Sequence, residues 1–399
     1  MLPPGWRRMG VEEKQGKGEV MAKAKGNESY SIGWSDKGEY EVRFMDGIFD
    51  VENPALAEML RAVTSDDEPS RVMLVADANV VHRTEGLGTR IGKYVQEYGI
   101  RLVGGAVVIG GGEKIKADGM QSVMRVATAA LDAKIGANDV VMAIGGGTVF
   151  DVAGYAASQV RGGVKVVRVP TTPASIVDAA FAETAALDSQ NVKDAMKVPC
   201  RPAAVAIDVS FVETVLDGVW RGGIGEMIRH GVTRDSSFLK KLASSMDALR
   251  ERDMDAMREM LSLCVQSRAK KGSSSTGLWS AMRLESMSGY KLPHGYAVPM
   301  GMCIDSAYAL EKGEIKDKDN EMVVSLLTMS GALDGLAHSR HLLHQADSVL
   351  FGLDAWRLST GSRAITIPAG IGKTSEDNDP DRELMKKVIL DMTESSTEE

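Results

Sequence analysis

From residue 40 onward, short apolar runs alternate with stretches whose apolar positions recur every three or four residues. Glu41-Val42-Arg43-Phe44 alternates polar with apolar, as a half-buried strand does. Arg71 to Ala76 is a short apolar strand, and Gly88 to Tyr98 follows with helical spacing. Leu102 to Ile109 is the next strand. Apolar residues at 120, 123, 124, 127, 130 and 131 then mark one face of a helix. Val140 to Ile144 reads as a strand buried on both sides, and Val164 to Val169 and Ala203 to Ile207 as further core strands. This alternation predicts an α/β N-terminal domain over 39–208, doubly wound around a mainly parallel sheet. Beyond Ser210 no strand alternation returns. Helical spacing covers 219–232, 237–250, 254–271, 279–289, 295–311 and 319–330, so 209–390 reads as a mainly helical C-terminal domain. Residues 1–38 read as a flexible leader and 391–399 as a frayed tail.

Composition narrows the function classes. Lys and Arg number 47 against 55 Asp and Glu, a net charge of −8, so nothing attracts nucleic acid or an anionic membrane over a broad surface. The three cysteines, Cys200, Cys264 and Cys303, form no CxxC pair, which argues against a disulfide framework and suits a reducing, cytoplasmic setting. No run approaches ~18 uninterrupted apolar residues, and the leader lacks an apolar h-region, so neither a membrane span nor a secretory signal is expected.

The candidate chemistry sits at strand ends. The 140–144 strand runs into Gly145-Gly146-Gly147-Thr148, and a helix carrying Asp151 starts at once. Glycine lets the backbone approach a pyrophosphate, and the helix N-terminus offers free N–H groups. The alternative is a tight turn with no ligand, and GxGxxG itself is absent. Three further segments lie where strand ends form the crevice of an open sheet: Asp77-Ala78-Asn79, Gly111-Gly112-Glu113-Lys114-Ile115-Lys116, and Val169-Pro170-Thr171-Thr172. In the helical part, Glu226 and His230 lie four apart on one helix face. His338, His341 and His344 also share a face, for which a plain surface helix is the default because no carboxylate sits at matching offsets.

In order and spacing, these segments together with Val177-Asp178-Ala179, Lys193, Ile207-Asp208, Gly223 to Arg229 and Leu292-Pro293-His294-Gly295 resemble the 3-dehydroquinate synthase superfamily of sugar-phosphate cyclases. Glu41 to Asp50 and Ile367 to Lys373 look more like its 2-epi-5-epi-valiolone synthase branch, which cyclises sedoheptulose 7-phosphate. The resemblance implies a dehydroquinate synthase-like fold, a homodimer, NAD as a recycled cofactor, and a divalent zinc or cobalt ion. It implies a cofactor set of Asp77, Asn79, Glu113, Lys116, Gly146, Gly147, Thr148, Asp151, Thr171, Thr172 and Thr214. Lys193, Arg229 and Asp178 take the catalytic positions, and Glu226 and His294 those of metal ligands.

The substrate half departs from the family. Leu278 stands where the first metal His belongs, and Met282 where another His follows. The stretch around Gly272 to Thr276 is about one helix-turn-loop shorter. Ala182 to Ala185 replaces a Gly-Gly-Lys-Thr stretch, Asp194 replaces an Asn, and Arg229 replaces a Lys. Catalytic zinc normally has three protein ligands, so a two-ligand site is expected to hold metal weakly. Water or the helix neighbour His230 would complete it, although a solvent-facing or hydrogen-bonded histidine is the default at that position.

Overall fold

The computed structural model of the protein describes residues 39–64, 70–117, 120–334 and 336–394. Its sheet strands are β1 (Glu41–Phe44), β2 (Arg71–Asp77), β3 (Arg101–Ile109), β4 (Val140–Gly145) and β5 (Lys165–Pro170). A hairpin of β6 (Thr184–Ser189) and β7 (Val192–Pro199) precedes β8 (Ala204–Ile207). Six strands form one sheet in the order β1-β8-β5-β4-β2-β3, and every ladder within it is parallel. Every residue of β4 is buried, as a strand covered by helices on both faces requires.

The order places the site. β3 lies on one side of β2, while β4, β5 and β8 continue on the other, so the winding reverses between β2 and β4. Doubly wound sheets bind ligands outside the carboxyl ends of their strands at this reversal. Asp77 ends β2 and Gly145 ends β4 there.

Five sequence expectations are corrected here. The 184–199 hairpin was not expected, because Asp188, Lys193, Asp194 and Lys197 interrupt its apolar positions. Its turn residues, Gln190 and Asn191, both have positive φ, the pattern of a tight two-residue hairpin turn. Strands do return after Ser210: β9 (Ile365–Pro368) pairs antiparallel with β10 (Thr374–Asp377) within the helical part. All four residues of β9 are buried, so it shows no alternation to read. The helix Gln121–Asp132 turns Val123, Val126, Ala127 and Ala130 inward, while Met120, Met124 and Leu131 are exposed. The apolar spacing there marks two faces, only one of which meets the sheet. The expected 237–250 helix is divided at Ser245 into Ser236–Ser244 and Met246–Arg250. At the C-terminus, 391–394 close the helix Arg382–Glu394 rather than fraying, whereas 395–399 and the leader 1–38 lie outside the described residues.

The helix Asp217–Arg234 organises the helical part, with Ile224, Met227, Ile228 and Val232 buried. Glycine brings it against its neighbours. A Cβ on Gly222 would stand 2.6 Å from the Gly295 Cα, and one on Gly223 would stand 2.1 Å from the Pro173 Cβ. The helix therefore touches both the start of His294–Glu311 and the turn that follows β5. No described helix is long and apolar enough to cross a membrane, and the three cysteines are buried and free.

Candidate active site

β4 delivers the glycine turn to the reversal point. A Cβ on Gly145 would lie 2.8 Å from Val149 Cγ2 and 3.2 Å from the Asp77 Cβ, and one on Gly147 would lie 2.9 Å from the Ala179 Cβ. Gly146 differs: its nearest neighbours are Thr172 side-chain atoms at 3.9 Å, so space remains over it. The helix Gly147–Gln159 starts there with no side-chain cap.

Other expected cofactor residues gather around this turn. Asp77 Oδ1 accepts from the Asn79 backbone N–H at 2.7 Å and from Asn79 Nδ2 at 3.1 Å. A Cβ on Gly111 would stand 2.4 Å from Asp77 Oδ2, so the turn after β3 lies against β2's end. Thr148 is buried in the first turn of the helix after β4. The buried Thr171 hydroxyl has no hydrogen-bond partner, while Thr172 caps Pro173–Val177 with Ser175. Thr214 ends the 3-10 segment Val209–Thr214 after β8, and its carbonyl accepts from Arg83 at 3.4 Å.

Lys116 and Asp151 are engaged within the protein. The Lys116 ammonium lies 2.8 Å from Asp194 and 2.9 Å from Asp151, with Asp188 and Glu113 each at 3.7 Å. Asp151's other oxygen accepts the Ala186 N–H at 2.9 Å. Burial alone would lower the lysine pKa, but Asp151, Glu113, Asp194 and Asp188 outweigh it and hold it well above the ordinary value. These ion pairs fasten the 184–199 hairpin to the sheet edge, with Asp188 pushed up to about 6 by its burial.

From that hairpin a line of alternating charges runs into the helical part. Lys193 Nζ lies 2.9 Å from Glu113 and also contacts Glu285. Glu285 is fully buried, and its other oxygen accepts from His294 Nδ1 at 2.8 Å. His294 Nε2 faces Glu226 Oε1 at 3.6 Å. Glu226 Oε2 accepts from Arg229 at 2.6 Å and 2.8 Å, Arg229 lies 3.3 Å from Asp178, and Arg268 lies 2.6 Å from Asp178. Burial would raise the Asp178 pKa, but Arg268 and Arg229 bring it down to about 2. Buried charges persist only when compensated, and here each is paired with the next.

Sequence reasoning missed Glu285 and Arg268 in this line. Leu278, Met282 and Glu285 are spaced to share a helix face, so the position was readable as part of the metal-His face.

Glu226 and His294 suit a shared metal ion in part. Glu226 Oε1 is buried with no hydrogen-bond partner, and Glu285 orients the His294 ring. Bonds of about 2 Å at a tetrahedral angle separate two donors by roughly 3.3 Å, near the observed spacing. A third protein donor is lacking: among the described residues no group of three or more His, Cys, Asp or Glu is placed to hold a metal ion. His230 does not supply it and is instead a hydrogen-bonded histidine, the default expected for it. Its Nε2 is hydrogen-bonded with Ser267 Oγ at 2.9 Å, and Ser267 is bonded to Asp235. Burial, reinforced by Arg268, holds the His230 pKa down to about 4. The side chain of His338 lies outside the described residues.

Comparison with known proteins bears on the fold. Residues 106–221 match the family model described as 3-dehydroquinate synthase N-terminal. A 2-epi-5-epi-valiolone synthase from Streptomyces hygroscopicus subsp. jinggangensis, solved with NAD+ and Zn2+ bound, superposes with a TM-score of 0.79 at 22% identity, covering 92% of this chain and 100% of that one. A 2-deoxy-scyllo-inosose synthase complexed with carbaglucose-6-phosphate, NAD+ and Co2+ gives 0.70 at 16% identity, covering 88% and 96%. An NADH-dependent butanol dehydrogenase from Thermotoga maritima gives 0.64 at 14% identity, covering 90% and 98%. The fold is dehydroquinate synthase-like, and cyclases and dehydrogenases share it.

Proposed function

We propose that the chain is an NAD-dependent sugar-phosphate cyclase, a carbon–oxygen lyase that expels phosphate and closes a carbocycle. Sedoheptulose 7-phosphate is the first candidate substrate. The observation that carries this reading is the closeness of the open glycine turn to buried cations. Gly147 packs on Ala179, and the neighbouring Asp178 pairs with both Arg229 and Arg268. A phosphorylated, polyhydroxylated substrate suits such a cleft better than a simple alcohol does. The family match and the two cyclase likenesses support the same class, and the 41–50 and 367–373 segments favour the C7 sugar phosphate.

The space over Gly146 and the partnerless Thr171 hydroxyl fit a dinucleotide. Gly146, Gly147 and Thr148 would cradle its pyrophosphate, with Asp77, Asn79, Thr171, Thr172 and Thr214 around it. Glu113, Lys116 and Asp151 support that site by fixing its walls. Held there, NAD would supply reversible hydride transfer with no net oxidation. Lys193 attracts the substrate phosphate, Arg229 adds a fixed positive charge, and Asp178 orients the Arg229 and Arg268 guanidinium groups. Glu226 and His294 would hold a zinc or cobalt ion that polarises a carbonyl, at low affinity.

A homodimer belongs to the same proposal. β3 is an edge strand, and Leu102 and Val108 on it and Met124 on the adjoining Gln121–Asp132 helix are exposed.

Phosphate release with NAD and sedoheptulose 7-phosphate, without NADH accumulation, tests the reading. Release only from the dehydroquinate synthase substrate would favour that reaction, which the family match supports. NADH accumulation with a polyol would favour a dehydrogenase, which the butanol dehydrogenase likeness supports. NAD binding with no turnover would favour a non-catalytic protein, in keeping with Leu278 and Met282.

A further inference from the structure

Arg229 is buried, and its guanidinium is shared among three parts of the chain. Nε and Nη2 both reach Glu226 Oε2, Nη2 lies 3.3 Å from Asp178, and Nη1 donates to the Ser274 carbonyl. Glu226 and Arg229 are one helical turn apart on Asp217–Arg234, and Ser274 belongs to the short link before Leu278–Met287. That link is further closed by the Gly277 N–H donating to the buried Asp305 at 2.6 Å, and by Ser275 Oγ hydrogen-bonded with Thr366 at 2.8 Å. A lysine ammonium carries one compact charge and lacks the planar fork that serves these three acceptors at once.

The arrangement acts directly on the metal pair. With Oε2 taken by Arg229, Glu226 offers only Oε1 toward His294. An arginine keeps its charge at every working pH, so a dication at Oε1 would meet a permanent positive charge bonded to the same carboxylate. We infer that Arg229 is a built-in competitor of the divalent cation at Glu226. The resting site is a carboxylate–guanidinium pair, and metal binds by working against it. The inference rests on reading Glu226 and His294 as the metal pair, and it attributes weak metal binding to Arg229 as well as to the lost ligand at Leu278.

Zinc titration of metal-free, full-length protein tests this, using a competing chromophoric chelator and zinc-induced thermal shifts. Arg229→Gln is expected to bind zinc at least tenfold more tightly than the parent chain, with a larger thermal shift, because binding to the native state alone raises stability. Arg229→Lys is expected to lie between the two, and it carries the test if the Gln variant folds poorly. Leu278→His is the control for the metal pair. If Leu278→His binds zinc tightly while both Arg229 variants match or fall below the parent, the inference is overturned and the metal reading stands. If Leu278→His gains nothing, the metal reading itself fails, and the inference with it.

Discussion

Lys193 stands between two carboxylates from the two parts of the chain, Glu113 on the turn after β3 and Glu285 on the helix Leu278–Met287. This buried ammonium is thus one of the ties between the α/β and helical parts, beside the Asp178 pairs with Arg229 and Arg268. Burial alone would lower its pKa, but Glu285 and Glu113 hold it above the ordinary value, so it stays charged. Lys193→Met would leave two buried carboxylates facing each other. Breaking a buried pair in this way costs about 3–5 kcal/mol. Urea unfolding should show that loss, and Lys193→Met with Glu285→Gln should recover part of it. A Lys193→Met protein as stable as the parent would remove the lysine's joining role.

Gly146 separates binding from folding. Its φ of −88° is open to any residue, and an added Cβ would meet only Thr172 atoms at 3.9 Å. Gly146→Ala should therefore keep the melting temperature within a degree or two while weakening NAD at least tenfold by calorimetry, about 1.4 kcal/mol or more. Unchanged NAD affinity would mean that the pyrophosphate does not lie on this turn.

His230 predicts acid sensitivity. Its folded pKa of about 4 lies below the ordinary 6.5, so the fold favours the neutral ring. Stability from this group is fully present above pH 6.5 and is lost as pH falls from 6.5 toward 4. At about 1.4 kcal/mol per pH unit, the loss is about 3 kcal/mol at most. Asp188, raised to about 6, acts in the opposite direction over part of that range. Comparing Gln at position 230 with the parent isolates the histidine: His230→Gln should flatten the decline between pH 6.5 and 4. Parallel curves would contradict the assignment.

The exposed apolar edge predicts association. Val108→Asp with Met124→Glu should convert a dimer to a monomer in sedimentation and leave the fold unchanged by circular dichroism. A parent chain that sediments as a monomer would contradict the proposed homodimer.

Much of this molecule was readable from its pattern. The both-face burial of β4 and the glycines after it follow from Val140 to Gly147 with no tertiary information. The polar 184–199 hairpin was not readable by apolar periodicity, although the Gln190-Asn191 turn offered a local signal. Glu226 and His294 were named by family resemblance, and the structure sets them 3.6 Å apart. Glu285 escaped because a buried carboxylate looks like a surface one until its partners, Lys193 and His294, are brought to it from distant segments. Asp151 was named from the sequence as a cofactor residue, but its engagement by Lys116 and Ala186 depends on packing that spans three elements.

The central claim is redox-neutral elimination of phosphate from a C7 sugar phosphate. It is tested most directly by incubating the full chain with NAD+ and sedoheptulose 7-phosphate, with and without added Zn2+ or Co2+. Inorganic phosphate and absorbance at the NADH wavelength are followed together. The account predicts phosphate release that requires NAD+ and proceeds with no lasting NADH. NADH accumulating in step with substrate loss, or phosphate that never appears under any of these conditions, would contradict it.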